Sequence, residues 1–400
     1  MQRTNIIQIM PTKKQKIILK EMMMLSSCVY NMANYIVRHQ FFKQEKISSF
    51  FDIQKELQTK EDYKLLGRSY ALPRIQLYSE TNNSRFKLIK SKTQKKVGLP
   101  KYLKNRKTNT TIPSYLVIDN SQYKIKQNHI EIPMSRLMRK KYKIGQTFKI
   151  KYNGTLKHKG KQQRGQIKYK NGKFYLHQTV EIINKTPKTN NNKIGIDLGI
   201  KRIFGLYTNN GYQKVIGSNR YYKQWKYYTE QIAQEQQRLS TINKKTSNTL
   251  KKLYQKRRTY QNNLYNNLVA KLYRIINKNN ITTIYIGDVK NIRESKSNTK
   301  TNQMINNYWS FDIMYKKIEN KAEENGVQMI KITEEYTTRT CPQCECCDKS
   351  NIKDREFKCI QCGYEEDRDI VGARNILTKG MYSQKQSIHR SEIAPLEVST

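Results

Sequence analysis

Acidic residues are scarce in this chain: 31 Asp and Glu stand against 77 Lys and Arg, a formal net charge of +46. Such an imbalance speaks about partners rather than fold. Polyphosphate is the natural counter-charge, because each neutralised phosphate releases counterions. A ribosomal-type or basic membrane-surface protein would carry a similar excess, and part of it is compositional, since Lys, Asn, Ile and Tyr all have A/T-rich codons. Long apolar runs are missing too. No stretch approaches the ~20 residues of a membrane span, and the opening MQRTNIIQIMPTKKQ lacks the apolar core of a secretory signal. These absences predict an intracellular protein with no membrane partner, nuclear if the host is eukaryotic and cytoplasmic otherwise. There is no internal repeat. Cysteine is rare outside one place: of seven, six lie between Cys341 and Cys362, and Cys28 stands alone. That clustering excludes a disulfide framework and reads as a metal site in a reducing compartment.

Among the residues that are plentiful, Tyr outnumbers Phe by 28 to 10, and a tyrosine ring can stack on a base while its hydroxyl stays wet. The order of patterns along the chain predicts a multidomain α+β protein. Residues 2–9 read as a strand, ended by Pro11. Thr12 is placed to cap a helix over KKQKIILKEMMMLSSCVYNMANYIVRHQFF, and helical patterns continue to about Ile89. From 98 to 182 short alternating runs (SYLVID, YKIK, HIEI, TFKIKY, GQIKYK, KFYLHQTVEI) are separated by Asn, Gly and Pro turns, as in a β-barrel. The first strand fits the same sheet, which makes 11–92 a helical insertion into a β domain of 1–10 and 93–182. A polar linker, 183–192, precedes a second region: an apolar strand KIGIDLG, further strands, two long polar helices over 219–279, the buried strand ITTIYIGDV, a helix capped by Gly326, the strand VQMIKIT, the cysteine cluster, and the helix DRDIVGARNILTKG. A polar tail, 379–400, is expected to be disordered.

The cysteines read Cys341-Pro-Gln-Cys344 and Cys359-Ile-Gln-Cys362-Gly363. Two C-x-x-C knuckles of this kind suit tetrahedral structural Zn²⁺. Cys346 and Cys347 are either spares or rivals of Cys344, and only Cys344 makes the two-residue spacing. Among the carboxylates, Asp197 sits inside an otherwise apolar strand, where an acid is costly unless paired or metal-bound. Glu366, Asp367 and Asp369 all lie where the last helix begins, and acids belong in a first helical turn anyway. The chain order is that of an RNase H-like fold, in which carboxylates from the first strand, the fourth strand and the last helix hold two Mg²⁺ ions.

Taken together, GIDLG, EEYTTRTCPQC, KCIQCG and DRDIVGARNIL resemble the RuvC nuclease of the TnpB and Fanzor proteins, transposon-associated RNA-guided nucleases related to type V CRISPR effectors. GLPKYLKNRK and KIKQNHIEIP resemble the wedge domain of the same family. The resemblance spans roughly residues 1–378. It implies a β-barrel wedge interrupted by a helical recognition lobe, then a RuvC domain (193–340 and 363–378) with an inserted four-cysteine zinc ribbon (341–362). It implies Asp197 and Asp369 as catalytic acids, Arg374 and Asn375 as active-site support, and Cys341, Cys344, Cys359 and Cys362 as zinc ligands. The implied partners are a guide RNA of the omega type and target double-stranded DNA, and the implied cofactors are Mg²⁺, two ions, and Zn²⁺.

The middle acid departs from that pattern. Most members of the family end the fourth strand in Glu-Asp, but here the segment is Ile286-Gly287-Asp288. Fanzor proteins and some TnpB relatives carry a relocated glutamate just before the ribbon, and Glu334 matches that position. Asp288 and Glu335 are the alternatives; strand alternation turns Glu335 to the other side. The resemblance therefore implies an RNA-guided, Mg²⁺-dependent DNA endonuclease, and Gly287 leaves open a nuclease-dead, RNA-guided repressor. No Tyr or Ser recombinase motif favours a transposase that itself moves DNA.

Overall fold

The computed structural model describes residues 1–44, 46–91, 97–186, 189–289, 302 and 304–393. The chain divides into two compact units, Met1–Ile183 and Asn184–Thr400. No helix among the described residues is long and apolar enough to cross a membrane.

The first unit is built on β1 (Gln2–Ile9), which alternates exposed and buried positions so that Asn5, Ile7 and Ile9 face the core. Pro11 follows. Thr12 then caps α1 (Lys13–Gln44): its hydroxyl accepts from Gln15 N at 3.3 Å, and Gln15 Oε1 accepts from Thr12 N at 3.0 Å. This reciprocal pair satisfies two otherwise orphaned amides. The helices α2 (Phe50–Leu57), α3 (Glu61–Leu66) and α4 (Arg68–Lys90) complete the insertion. The chain returns as β2 (Leu116–Ile118), β3 (Lys124–Ile125), β4 (His129–Pro133), a short α5 (Arg136–Tyr142), β5 (Thr147–Asn153), β6 (Lys161–Lys170) and β7 (Lys173–Glu181). The strands form one antiparallel sheet in the order β2-β6-β7-β1-β5-β4-β3. β1 pairs with β7 along its whole length, from Gln2↔Glu181 to Ile9↔Phe174. The four helices are thus inserted in the chain between β1 and β2, two strands of one sheet. The sheet is open rather than a closed barrel: its outer strands, β2 and β3, have three and two residues. Closure requires every strand to find two partners along a useful length, and these are too short.

The second unit holds a five-stranded sheet. β8 (Lys193–Leu198), β9 (Arg202–Thr208) and β10 (Gln213–Gly217) form an antiparallel meander, and two helices follow, α6 (Asn219–Thr241) and α7 (Asn248–Lys278). β11 (Thr283–Asp288) then pairs parallel to β8, and β12 (Gln328–Thr333), reached through α8 (Phe311–Asn325), pairs parallel to β11. The order is β10-β9-β8-β11-β12. Ile194, Ile196, Ile284 and Ile286 point to one face, where α7 and α8 cover them. Gly195, Asp197, Tyr285 and Gly287 alternate to the other face, where the last helix, α9 (Arg368–Ile393), lies. A β-carbon at Gly195 would meet the Leu377 β-carbon at 2.8 Å, so glycine lets this helix lie close on β8.

Two boundaries differ from the sequence reading. The three-stranded sheet of the cysteine region, β13 (Ile352–Lys353), β14 (Glu356–Lys358) and β15 (Glu365–Asp367), continues past Cys362 to the threshold of α9. The tail expected to be disordered from 379 instead continues α9 to Ile393. No proline or isolated glycine interrupts the stretch after Gly380, so nothing local ends the helix. Residues 394–400 lie outside the described residues. The tyrosines also need a correction. Among the described residues nine of them, including Tyr70, Tyr78, Tyr265 and Tyr308, are buried in the cores and are unavailable for stacking on bases.

Candidate carboxylate site and cysteine centre

Strand alternation puts Asp197 and Glu334 on the α9 face of the second sheet, and the first turn of α9 adds Asp369. Asp197 is the fifth residue of β8, in phase with Gly195. The register of β11 and β12 sets Gly287 opposite Ile332. Ile332 packs with Tyr285 against Ile376 and Leu377 of α9, so the residue two further on, Glu334, leaves the strand on the same face. Asp369 is the second residue of α9. Asp288 ends β11 in the opposite phase, and Glu335 is exposed in the following turn.

Glu334 fills the space above Gly287. A β-carbon built on Gly287 would lie 2.6 Å from Glu334 Cγ and 2.7 Å from its Cδ. Any side chain at 287 would therefore compete with Glu334 for one volume. Tyr315 of α8 fixes the strand end beneath it: its hydroxyl donates to Gly287 O and accepts from Val289 N at 3.1 Å. On α9, Gly372 performs a matching service for Asp197, since a β-carbon there would come within 2.5 Å of Asp197 Oδ2. Only glycine lets the helix pass so near that carboxylate.

The electrostatics are those of acids pressed together. Burial, then the charge of Asp369, pushes Asp197 up to about 7. Burial, then Asp197 and Asp288, pushes Glu334 up to about 8. Glu334 Oε1 is buried with no hydrogen-bond partner. A buried carboxylate oxygen left without a donor is costly, and a hard divalent cation is the partner that suits it. Asp369 is steadied from outside the cluster: its Oδ2 accepts from Arg202 Nη1 at 3.2 Å, and Arg355 Nη1 stands 3.5 Å from its Oδ1. Arg202 also pairs with Asp367, whose Oδ1 accepts from Asp369 N at 2.9 Å. Asp367 thus caps α9 and anchors Arg202, which distinguishes its part from that of Asp369. Sequence reasoning missed Arg202, Arg355, Tyr315 and Gly372, because each meets the acids only through long-range packing.

Arg374 and Asn375 lie one turn along α9. Arg374 Nη1 donates to Tyr364 Oη at 3.1 Å, and its guanidinium lies over the Tyr207 ring at 5.4 Å. Asn375 Nδ2 donates to both Thr337 O and Thr340 O at 2.7 Å. It ties the segment between Glu334 and Cys341 to the helix that carries Asp369.

The cysteine knuckles are built alike. Cys341 N donates to Cys346 O at 2.9 Å, and Cys359 N donates to Tyr364 O at 2.8 Å. The residue after each second cysteine, Glu345 or Gly363, takes a left-handed φ of 61° or 74°. Four sulfurs meet: Cys341 and Cys362 at 3.6 Å, Cys344 and Cys359 at 3.5 Å, all four within 4.8 Å of one another. A tetrahedral ion with ~2.3 Å bonds to sulfur needs sulfurs about 3.8 Å apart, so the quartet fits zinc. Cys346 and Cys347 are outside it; Cys346 serves through its backbone carbonyl, closing the first knuckle.

Known proteins are similar to this chain across the regions that carry both centres. The family described as OrfB_IS605, a probable transposase, matches residues 166–293. The Cas12f1-like TNB domain matches residues 311–376, which include Glu334, the four cysteines and Asp369. The TnpB-like protein ORF457 of Acidianus two-tailed virus is 26% identical over 95% of this chain and 87% of its own length. The CRISPR-associated endodeoxyribonuclease Cas12f1 of Sulfoacidibacillus thermotolerans is 40% identical over a shorter stretch, 24% of this chain and 21% of that protein. A cryo-EM structure of a Cas12f1–sgRNA–target DNA complex matches the fold with a TM-score of 0.58 at 16% identity, covering 90% of this chain and 82% of that one.

Proposed function

We propose that this chain, a relative of the TnpB-like proteins and the type V effectors, is an RNA-guided DNA endonuclease. Asp197, Glu334 and Asp369 form its active site around Mg²⁺, and Cys341, Cys344, Cys359 and Cys362 hold zinc. The observation that carries the reading is Glu334 lying over Gly287, on the sheet face that also presents Asp197 and the first turn of α9. The strand order, with an antiparallel meander followed by two parallel strands, supports an RNase H-like, RuvC-type domain for the second unit. The first unit is then the wedge with its helical recognition insertion, which would hold guide RNA and the duplex through backbone contacts, while base pairing reads the target.

Bound Mg²⁺ supplies a water of lowered pKa and a counter-charge for the leaving oxygen of a phosphodiester. The chain's residues do the rest. Glu334 offers a buried oxygen with no hydrogen-bond partner, Asp197 presses its charge against it, Arg202 orients Asp369, and Asn375 keeps the Glu334 segment registered to α9. The repressor alternative rests on the missing acid at 287. Glu334 occupying that volume argues against it.

A pH test follows from the crowding. In the metal-free protein Asp197 and Glu334 stay protonated up to about 7 and about 8, whereas the unfolded chain releases those protons near 4. Their contribution to stability is complete below that range and is lost as pH rises through 7 to 8. Mg²⁺ should therefore raise the thermal unfolding midpoint by a few degrees at pH 8 and scarcely at pH 5, in buffer without chelator so that zinc is retained. Equal Mg²⁺ effects at both pH values would contradict the assignment. The guided part of the reading is tested by sequencing RNA that co-purifies with the protein: a discrete species ending in a variable segment is expected, and random cellular RNA would count against it.

A further inference from the structure

Residues 97–115 connect α4 to β2 and carry Lys101, Lys104, Arg106 and Lys107, with no acid between Val97 and Ile118. In so basic a chain, charge alone singles out no surface. This one is distinguished by how firmly its backbone is held. Leu103 N donates to Asn31 Oδ1 at 2.7 Å, and Asn31 Nδ2 donates back to Leu103 O at 3.3 Å. One turn along α1, Asn34 Nδ2 donates to Pro100 O at 3.1 Å, and its Oδ1 accepts from the Tyr78 hydroxyl at 3.0 Å. A further turn on, Arg38 lies over the Tyr102 ring at 5.1 Å. Positions 31, 34 and 38 form one stripe of α1, and the stripe is given over to this connection.

The connection also closes on itself. Lys104 and Thr111 bridge as in a hairpin, Asn105 N donates to Thr110 O at 2.8 Å, and Ile112 N donates to Leu103 O at 3.0 Å. Asn105 Oδ1 accepts from Lys107 N at 2.9 Å, Lys104 Nζ donates to Asn109 Oδ1 at 2.9 Å, and Asn109 takes the left-handed φ of 53° that such a tip requires. Lys101 and residues 104–110 are exposed. A solvated linker needs no fully buried asparagine such as Asn34 to hold it.

We propose that this hairpin is a pre-organised finger that grips the phosphodiester backbone of a nucleic acid. Fixing the backbone beforehand removes an ordering cost from binding, and contacts of this kind position a nucleic acid rather than read its sequence. The inference rests on the nucleic-acid partners proposed above but not on cleavage.

The test is a salt series of dissociation constants for two probes, a short DNA duplex of arbitrary sequence and the RNA that co-purifies with the protein. Four proteins are compared: wild type, the triple variant Lys101→Ala/Arg106→Ala/Lys107→Ala, Asn31→Ala, and the control Lys13→Ala/Lys14→Ala/Lys16→Ala, which removes equal charge from the exposed start of α1. The hairpin triple should bind at least one probe about tenfold or more weakly, with a salt slope flattened by about 2 to 3, and the control should lose far less. Asn31→Ala should weaken binding with its salt slope kept, because the charges remain while the backbone loosens. A loss confined to RNA, or to the duplex, assigns the finger to that strand. Equal losses from the two triples on both probes overturn the finger, and an Asn31→Ala protein that binds as wild type overturns its pre-organisation. Wild type that binds neither probe counts instead against the nucleic-acid reading itself.

Discussion

Glu334→Gln should lower Mg²⁺-dependent DNA cleavage by about 10³-fold or more, equivalent to about 4 kcal/mol of transition-state stabilisation, and leave DNA affinity within about twofold. The substitution keeps the shape that fills the volume over Gly287 and removes only the charge. That charge is unfavourable without metal, because Glu334 Oε1 is buried and unpartnered and Asp197 is a neighbour. The metal-free variant should therefore melt no lower than wild type at pH 8, a combination that a merely structural glutamate would not give. Asp288→Asn, in the opposite strand phase, should stay within about tenfold of wild-type cleavage. The geometry also predicts a rescue. Gly287→Glu alone collides with the Glu334 carboxylate, but Gly287→Glu combined with Glu334→Ala places one acid in the vacated space and should recover part of the activity. Rates for the four variants decide the matter; a fully active Glu334→Gln protein beside an inactive Asp288→Asn one would transfer the role to Asp288.

Cys359→Ser should abolish stoichiometric zinc and lower cleavage by about 100-fold or more, whereas Cys346→Ser and Cys347→Ser keep both. A zinc site of this kind contributes about 10–16 kcal/mol to folding its own domain, far above the usual margin of stability. Two of the three acids depend on that domain. Glu334 enters it through Thr337 and Thr340, both held by Asn375, and Asp369 leaves it through β15 while Arg355 of the ribbon approaches its carboxylate. Zinc content by metal analysis, read beside cleavage rates, checks the link. Full cleavage in a zinc-free variant would break it.

The features legible in the sequence are those whose chemistry is local. Two C-x-x-C knuckles announce their quartet, and spacing favours Cys344 over Cys346, whose carbonyl closes the first turn. The alternation of HIEI, TFKIKY and KFYLHQTVEI marks β4, β5 and β7 because one side of each strand is buried. The gap at Gly287 was legible as well, but its occupant depended on a register, Gly287 opposite Ile332, that no local pattern encodes. For the same reason the pattern could not choose among Glu366, Asp367 and Asp369. The choice turns on Asp367 facing Arg202, more than 150 residues away in the chain. Tyrosine misled in the other direction: its abundance suggested base stacking, while its amphipathic ring serves equally well in a core where the hydroxyl finds a carbonyl, as Tyr70 does at Pro133 and Tyr273 at Ile318.

The central claim is that base pairing by a bound RNA directs a cut made by this carboxylate site. The most direct test reconstitutes the protein with its co-purifying RNA, replaces the variable segment of that RNA, and maps the ends of DNA cut in Mg²⁺. Cleavage should move to the DNA matching the new segment and vanish in Glu334→Gln. Cuts that ignore the replaced segment, or that persist unchanged in Glu334→Gln, would contradict the account.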